Sequence, residues 1–160
     1  MPETIPIAAD HAGFQMKERL KGVLEKLGYQ TVDLGAKTAE ASDYPDFAHA
    51  VAKMVAGSEA TRGVLLCGSG IGMDITANRY PGVRAGVIWN EELAKLSRQH
   101  NDLNVLVLPA RFMDDAEAAR ILRTWLDTPF EGGRHEKRVD KIDYPLVTKG
   151  PKKQHGVDAT

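Results

Sequence analysis

The residues with the clearest chemical potential are Cys67, the chain's only cysteine, and the run that follows it, Gly68-Ser69-Gly70-Ile71-Gly72. Residues 63–66 before it are suited to a buried strand, and residues 73–78 after it can wind as a helix. A strand that turns through glycines into a helix points several backbone N–H groups at one spot, where an anion can sit. Such amides also lower the pKa of a neighbouring thiol. The pattern predicts a reactive thiol beside an anion cradle.

Two structural alternatives stay open for this stretch. A lone cysteine that ends a buried strand is often inert packing, and a short glycine pattern can be a simple tight turn. Two nucleotide motifs are excluded. The run lacks the spacing of the dinucleotide fingerprint and does not follow the first strand, and it lacks the Gly-Lys-Ser/Thr ending of a Walker loop.

Three further groups of polar residues are candidates for the same chemistry: Asp10-His11, His100-Asn101, and Arg134 with Arg138. The two arginines are four residues apart, so on a helix they share a face and can clamp a phosphate. Each group also has a purely structural interpretation. Asp10-His11 can be a helix cap followed by a solvent-exposed ring, His100-Asn101 can be polar residues of a loop, and the two arginines can be exposed surface charges. The histidines show no metal-ligand spacing with carboxylates or thiols, so we predict no metal.

Composition narrows the class of protein that carries these residues. The 160 residues, with 42% hydrophobic and 27% charged, are typical of one soluble globular domain. A net charge of -1 gives no reason to expect nucleic acid or an acidic membrane as partner. No apolar run approaches the length that spans a bilayer, and the N-terminus lacks the features of a signal peptide. With its single cysteine, the chain is expected in the cytoplasm.

Strands and helices are predicted to alternate along the chain, which favours a parallel sheet covered by helices on both faces. The apolar runs predict five strands, and helical periodicity or helix signals between and after them predict the helices. The predicted strands are residues 5–9, 31–35, 63–67, 82–89 and 104–108, and the predicted helices are residues 14–27, 47–55, 73–78, 91–98 and 114–126.

The C-terminal part of the chain follows a different pattern. After Pro129 the sequence is polar and glycine-hinged, with a short amphipathic helix possible up to Ile142. Residues 149–160 have no apolar periodicity. We therefore expect one domain over residues 1–148 and a flexible tail over residues 149–160.

Ligands of open parallel sheets bind beyond the carboxyl ends of the strands. That rule gathers Asp10, His11 and the stretch from Cys67 to Gly72 at one edge. His100 and Asn101 do not fit, because they follow a helix and precede the fifth strand, which places them at the opposite edge. They reach the site only through an unusual loop or from a neighbouring subunit. The mismatch favours a site built between two chains.

The motifs together resemble the type B ribose-5-phosphate isomerases, a family that also holds allose-6-phosphate and galactose-6-phosphate isomerases. The resemblance covers roughly residues 5–142. Its motifs are Ala9-Asp10-His11-Ala12-Gly13-Phe14, Asp43-Tyr44-Pro45, Cys67-Gly68-Ser69-Gly70-Ile71-Gly72, Ser97-Arg98-Gln99-His100-Asn101-Asp102-Leu103-Asn104-Val105-Leu106 and Glu131-Gly132-Gly133-Arg134-His135.

The resemblance implies a Rossmann-like α/β/α sandwich that binds no dinucleotide and assembles as a homodimer or a dimer of dimers. It implies reversible aldose–ketose isomerisation of a sugar phosphate, in the pentose phosphate pathway for ribose 5-phosphate, without metal or organic cofactor. It also implies that His100 and Asn101 come from the partner chain.

The resemblance further implies a role for each matching residue. Cys67 is the base, Ser69 and His100 help to open the furanose ring, and the backbone amides of Gly68, Gly70, Ile71 and Gly72 hold the enediolate. Asp10 and Asn101 bind sugar hydroxyls, Tyr44 lines the pocket, and the phosphate is held by His11, Arg111, Arg134 and Arg138.

Two departures from the family pattern bear on these roles. Ser69 stands where many members carry Thr, and it keeps the hydroxyl. A branch of the family takes its base from a carboxylate at the far end of the loop, where this chain has Met73, so the chain resembles the cysteine branch. Alternatives to a ribose 5-phosphate substrate are a tetrose or hexose phosphate, and the alternative to catalysis is a sugar-phosphate-binding module.

Overall fold

The computed structural model describes residues 1–144, which form a five-stranded sheet flanked by helices. The strands are β1 (Thr4–Ala9), β2 (Gln30–Asp33), β3 (Gly63–Cys67), β4 (Ala85–Val87) and β5 (Val105–Pro109). The helices are α1 (Phe14–Lys26), α2 (Tyr44–Ala56), α3 (Ile71–Ala77), α4 (Glu91–Asn101), α5 (Asp115–Asp127) and α6 (Glu136–Asp140), the last preceded by a 3-10 turn (Gly133–His135).

All strand pairs are parallel, and the strand order is β2-β1-β3-β5-β4. Every residue of β3 and β5 is buried, because helices cover both faces of the sheet. Alternate side chains of each strand enter two separate cores: Leu66 packs with α1, α4 and α5, and Leu65 packs with α2 and α3. The predicted three-layer α/β architecture is confirmed.

Trp125 anchors the larger of these two cores. Its ring is fully buried, and its indole N–H donates to the carbonyl oxygen of Leu103 at 3.0 Å. The same carbonyl accepts from Arg98 Nη1 at 2.8 Å. These bonds fix the segment between α4 and β5 against α5.

Several predicted boundaries were wrong by a few residues. Helix α2 begins at Tyr44, since Pro45 is suited to its first turn, and α4 continues past Arg98 to Asn101. Strand β4 is only three residues long, against a prediction of residues 82–89. The side chains of Asn104 and Asn78 accept from the backbone N–H groups of Arg84 and Ala85 and so take the place of strand partners.

The predicted end of the domain at residue 148 and the predicted tail over residues 149–160 lie outside the described residues. Within residues 1–144, no helix has both the length and the apolar character that a membrane span requires.

Candidate active site

A cavity of about 450 Å³ opens beyond the carboxyl ends of β1 and β3. The strand order reverses direction between these two strands, which is where open α/β sheets bind their ligands. We call it the cysteine cavity. Its lining residues are Asp10, His11, Ala12, Tyr44, Cys67, Gly68, Ser69, Ile71, Gly72, Ile75 and Arg111.

The loop from Cys67 to Gly72 is held by its own short-range hydrogen bonds. Cys67 Sγ accepts from the Gly70 N–H at 3.2 Å, and Ser69 Oγ accepts from the Ile71 N–H at 3.3 Å. Gly70 has a φ of 78°, in the left-handed region that favours glycine. Helix α3 starts directly afterwards, so the thiol sits at a helix N-terminus as predicted.

Burial raises the pKa of the Cys67 thiol above its ordinary value, and the negative charge of Asp10 adds to this. The backbone N–H groups of Met73, Gly70 and Ser69 act in the opposite direction but do not outweigh burial. The expectation that the loop amides lower the pKa was therefore wrong in its net sign, because the effect of burial on the thiol is larger than that of the amides. The resting group is a protonated thiol, poised beside amides that stabilise its anion.

Asp10 and His11 are held on the opposite wall of the cavity. The buried Asp10 carboxylate accepts from the N–H groups of Ala12 and Gly13 at 3.0 and 3.2 Å. His11 Nδ1 accepts from the Ser42 N–H at 3.2 Å, and the His11 N–H donates to Ser42 Oγ at the same distance. Since Nδ1 accepts a hydrogen bond, the ring proton is on Nε2, which is therefore a hydrogen-bond donor.

Two residues close the remaining sides of the cavity. Arg111 follows β5 and donates from its backbone N–H to the Gly68 carbonyl at 3.0 Å. Its side chain covers Gly68 so closely that a Cβ there would lie 3.1 Å from Arg111 Cδ. Tyr44 begins α2 and lies against Gly72, where any side chain would overlap its ring.

His100 and Asn101 line a second cavity, of about 280 Å³, which we call the histidine cavity. Its other lining residues are His135, Arg138, Val139 and Ile142. The rings of His100 and His135 stack, with centroids 4.3 Å apart and planes inclined by 14°. Burial lowers the pKa of His135 below its ordinary value, and the charges of His100 and Arg134 lower it further.

Within one chain the two cavities lie at opposite edges of the sheet. The carbonyl of Asn104, three residues after Asn101, accepts from the Gly63 N–H at the start of β3, while Cys67 stands at the end of that strand. A parallel strand of five residues is roughly 16 Å long. The topological mismatch predicted for His100 and Asn101 is therefore present in the structure.

The predicted site residues accordingly divide into two groups. Nine line the cysteine cavity: Asp10, His11, Tyr44, Cys67, Gly68, Ser69, Ile71, Gly72 and Arg111. His100, Asn101 and Arg138 line the histidine cavity, Arg134 neighbours it through His135, and Gly70 is buried behind its loop.

Three residues that line or support the two cavities were not predicted from the sequence. Ser42 orients His11 across 31 residues of sequence, a pairing with no local signal. Ile75 lines the cysteine cavity, and its position four residues after Ile71 on a helix was an available signal. His135 was quoted only as part of a motif, although it stacks on His100.

Comparison with known proteins gives a consistent answer. Residues 5–142 match the family described as Ribose/Galactose Isomerase. The chain is 42% identical over 138 residues to ribose-5-phosphate isomerase B of Escherichia coli, covering 86% of this chain and 93% of that protein.

Solved structures agree in both fold and sequence. A ribose 5-phosphate isomerase from Thermotoga maritima superposes with a TM-score of 0.86 at 47% identity, covering 88% of this chain and 97% of the other. Ribose-5-phosphate isomerase B from Mycoplasma genitalium, crystallised with bound ribulose-5-phosphate, gives a TM-score of 0.85 at 42% identity, covering 89% and 95%.

Proposed function

The chain belongs to the ribose/galactose isomerase family, and we propose that its own reaction interconverts ribose 5-phosphate and ribulose 5-phosphate with Cys67 as the base. It is an aldose–ketose isomerase of sugar phosphates, as its relatives of about 40% identity indicate. The observation that carries the proposed mechanism is a buried thiol that accepts a backbone N–H inside a cavity lined by Asp10, His11 and Arg111.

The proposed chemistry moves one proton between adjacent carbons. Cys67 in its thiolate form takes the C2 proton of the open-chain aldose, and negative charge develops on O1. The thiol then returns that proton to C1 while the O2 proton passes to O1, which leaves a ketone at C2. One base that reaches both carbons is sufficient. The amides that face Sγ stabilise negative charge at this spot, first on sulfur and then on the enediolate oxygen.

The other residues of the cysteine cavity are assigned by their chemistry. The Asp10 carboxylate accepts hydrogen bonds from sugar hydroxyls, and Ser69 assists ring opening. His11 donates from Nε2 to the phosphate, and Arg111 supplies positive charge to it. Tyr44 closes the wall against Gly72. Holding the phosphate at one end fixes C1 and C2 within reach of the sulfur at the other.

We propose that His100, Asn101, Arg134 and Arg138 complete this site from a second copy of the chain, in a homodimer or a dimer of dimers. His100 then transfers protons during furanose ring opening, Asn101 binds a hydroxyl, and the arginines bind phosphate. The separation of the two cavities within one chain supports this arrangement. So do exposed apolar side chains near the carboxyl edge of the sheet, among them Ile71, Ile75 and Phe112.

We also propose a cytoplasmic location, because the proposed mechanism depends on a reduced thiol. Cys67 is free and buried, and the proposed chemistry needs it reduced. A reducing compartment preserves such a thiol.

Co-expression of two inactive variants tests both the base and the shared site. Cys67→Ala and His100→Asn, each carrying a different tag, are purified as doubly tagged dimers. Each such dimer contains one site with both residues intact, so we expect about half of the wild-type activity on ribose 5-phosphate. Doubly tagged wild-type dimers serve as the reference, and circular dichroism verifies that both variants are folded.

The outcomes separate the two parts of the proposal. Near wild-type turnover by Cys67→Ala alone would remove Cys67 as the base. Doubly tagged dimers that stay inactive would show that each site is built within one chain. Assays with four-, five- and six-carbon aldose phosphates decide the substrate, for which we expect the highest kcat/KM with the five-carbon sugar.

A further inference from the structure

A cluster of three potential metal ligands lies at the histidine cavity. His100, Glu131 and His135 each offer one ligand atom, and these atoms all lie within 4.8 Å of one another. Glu131 Oε2 lies 3.6 Å from His135 Nε2. The Glu131 backbone N–H donates to the Gln99 carbonyl at 3.2 Å, which ties the carboxylate to the end of α4, next to His100.

The second observation concerns His135 itself. Its side chain is only 7% exposed, and among the described residues its Nε2 has no hydrogen-bond partner. A buried ring nitrogen without a partner destabilises the structure unless a ligand occupies the position. An imidazole ring can offer the lone pair of one nitrogen to a cation. The nitrogen therefore faces the carboxylate without being satisfied by it.

We propose that His100, Glu131 and His135 bind a divalent transition-metal cation of the Zn²⁺ type, and that the bound cation inhibits the isomerase by withholding His100 from ring opening. The inhibitory part rests on the proposed role of His100, whereas cation binding does not. This proposal departs from the prediction of no metal made from the sequence, because His100 and His135 are far apart in sequence and meet only in the fold. The metal acts here as an inhibitor and not as a cofactor.

The donor set matches this class of ion. Two imidazoles and one carboxylate with an open fourth position are a common zinc arrangement. Imidazole nitrogen favours Zn²⁺, Co²⁺ and Ni²⁺ over Mg²⁺ and Ca²⁺. Arg134 and Arg138 repel any cation at this place, which further disfavours ions held by charge alone. We therefore expect selectivity for borderline transition metals.

Binding requires a local rearrangement that the structure permits. The stacked rings cannot both direct a nitrogen at one ion in their planes, so one imidazole must rotate about its Cβ–Cγ bond. The Glu131 side chain is 48% exposed and free to close on the ion. His135 is buried whereas His100 is only partly buried, so His100 is the ring that turns. A His100 held by the cation in this turned position is withheld from proton transfer.

Co²⁺ and Zn²⁺ are the probes for the test, added to the intact dimer in phosphate-free buffer. Co²⁺ should give visible absorption bands of a nitrogen and oxygen site without a thiolate charge-transfer band, and the bands should persist in Cys67→Ala. Glu131→Gln and His135→Gln should each weaken Co²⁺ binding and Zn²⁺ inhibition by at least about tenfold. Glu136→Gln, an exposed neighbour outside the cluster, is the matched control.

Each alternative result would contradict a specific part of the metal-site proposal. A thiolate band that disappears in Cys67→Ala, with Glu131→Gln unchanged, would place the metal at Cys67 and end the proposal. Normal Co²⁺ binding without Zn²⁺ inhibition would remove the inhibitory role alone. If the protein had no isomerase activity, the proposed function would be refuted. The Co²⁺ titration would still show whether His100, Glu131 and His135 bind a cation. Because Glu131→Gln changes an exposed side chain, the test does not depend on His135→Gln folding.

Discussion

The cysteine cavity and the histidine cavity are built by different means. In the cysteine cavity three of the functional polar groups have hydrogen-bond partners within a few residues, whereas His11 is paired with a distant residue, Ser42. The local partners are Ala12 and Gly13 for Asp10, Gly70 for Cys67, and Ile71 for Ser69. The histidine cavity joins the end of α4 to a distant 3-10 turn and leaves His135 Nε2 without a partner among residues 1–144.

This difference shows which kind of site a single chain can preorganise through its own hydrogen bonds. Short loops after parallel strands fix their own polar groups, so the cysteine cavity is preorganised before any ligand arrives. The histidine cavity holds its groups between elements far apart in sequence and leaves a buried nitrogen for something else to satisfy. The cysteine cavity is therefore preorganised within one chain, whereas the histidine cavity contains a buried nitrogen that is available to a substrate, the proposed second copy or the proposed cation.

Among variants that keep every proposed catalytic side chain, the largest expected effect comes from adding one methyl group to the cysteine cavity. In Gly72→Ala the new Cβ overlaps the Tyr44 ring, so the loop or the ring must move. We expect a loss of kcat/KM on the order of 10²-fold, because small misplacements at a reacting centre have effects of this size. Steady-state kinetics measure it.

The matched control is Gly22→Ala, which meets no atom within 4 Å of the added Cβ on α1. It should leave activity unchanged. Co²⁺ binding at the histidine cavity should be the same in both variants if the two cavities are independent within a chain. Wild-type kinetics in Gly72→Ala would show that the cysteine cavity is more pliable than its packing indicates.

A smaller effect is expected from the ion pairs beneath the cysteine cavity. The fully buried Lys17 ammonium donates to Asp33 at 2.7 Å and to the Ala36 carbonyl at 2.6 Å, next to the Ala36 N–H that donates to Ala9. Although burial alone would raise the pKa of Asp33, hydrogen bonds from Lys17 and Lys21 lower it to about 2. The pair therefore stabilises the fold above the ordinary pKa of an aspartate, and this contribution is lost as pH falls toward about 2.

Asp33→Asn should reduce the free energy of unfolding at neutral pH by on the order of 1 kcal/mol, since water still screens the partly exposed carboxylate. Denaturant titrations at pH 7 and under acid conditions measure it, and the difference from wild type should shrink as the pH falls. Glu18→Gln is the control, because Glu18 contacts the same lysines at 3.4 Å and is more exposed. Equal effects of both variants would contradict the assignment.

The smallest expected effect is a shift in the pH at which the Cys67 thiol ionises, and its direction shows whether burial or the loop amides dominate. Since burial raises its pKa, alkylation of this sole cysteine by iodoacetamide should increase with pH and level off only above the ordinary range of a thiol, about 8.5. The ascending limb of kcat/KM should follow the same curve. An inflection below the ordinary thiol range would mean that the loop amides outweigh burial after all.

The sequence was most informative where apolar runs were short and continuous. Strand β3 was predicted at its observed bounds, because Gly63 to Cys67 is apolar and ends in glycines. Strand β4 was overestimated, because apolar residues continue into Trp89 while side chains of Asn78 and Asn104 occupy its backbone groups. Such side-chain substitutes for strand partners leave no periodic signal.

The site was predictable in its residue types and less so in its electrostatics. Nine of the proposed residues line one cavity, since each follows a strand or begins a helix at the same edge. The raised pKa of Cys67 depends on burial that no local motif reveals. The Ser42–His11 pair and the stacked His100 and His135 depend on contacts between distant segments.

The exposed apolar side chains beside the cysteine cavity have a consequence for how this chain can change under selection. Ile71, Trp89 and Phe112 are 56%, 45% and 63% exposed in the single chain, and the proposed second copy covers surface of this kind. If the proposed dimer forms through this surface, a substitution there that weakens association would reduce catalysis without altering any group that touches the substrate. Selection for the reaction would then also constrain these surface positions.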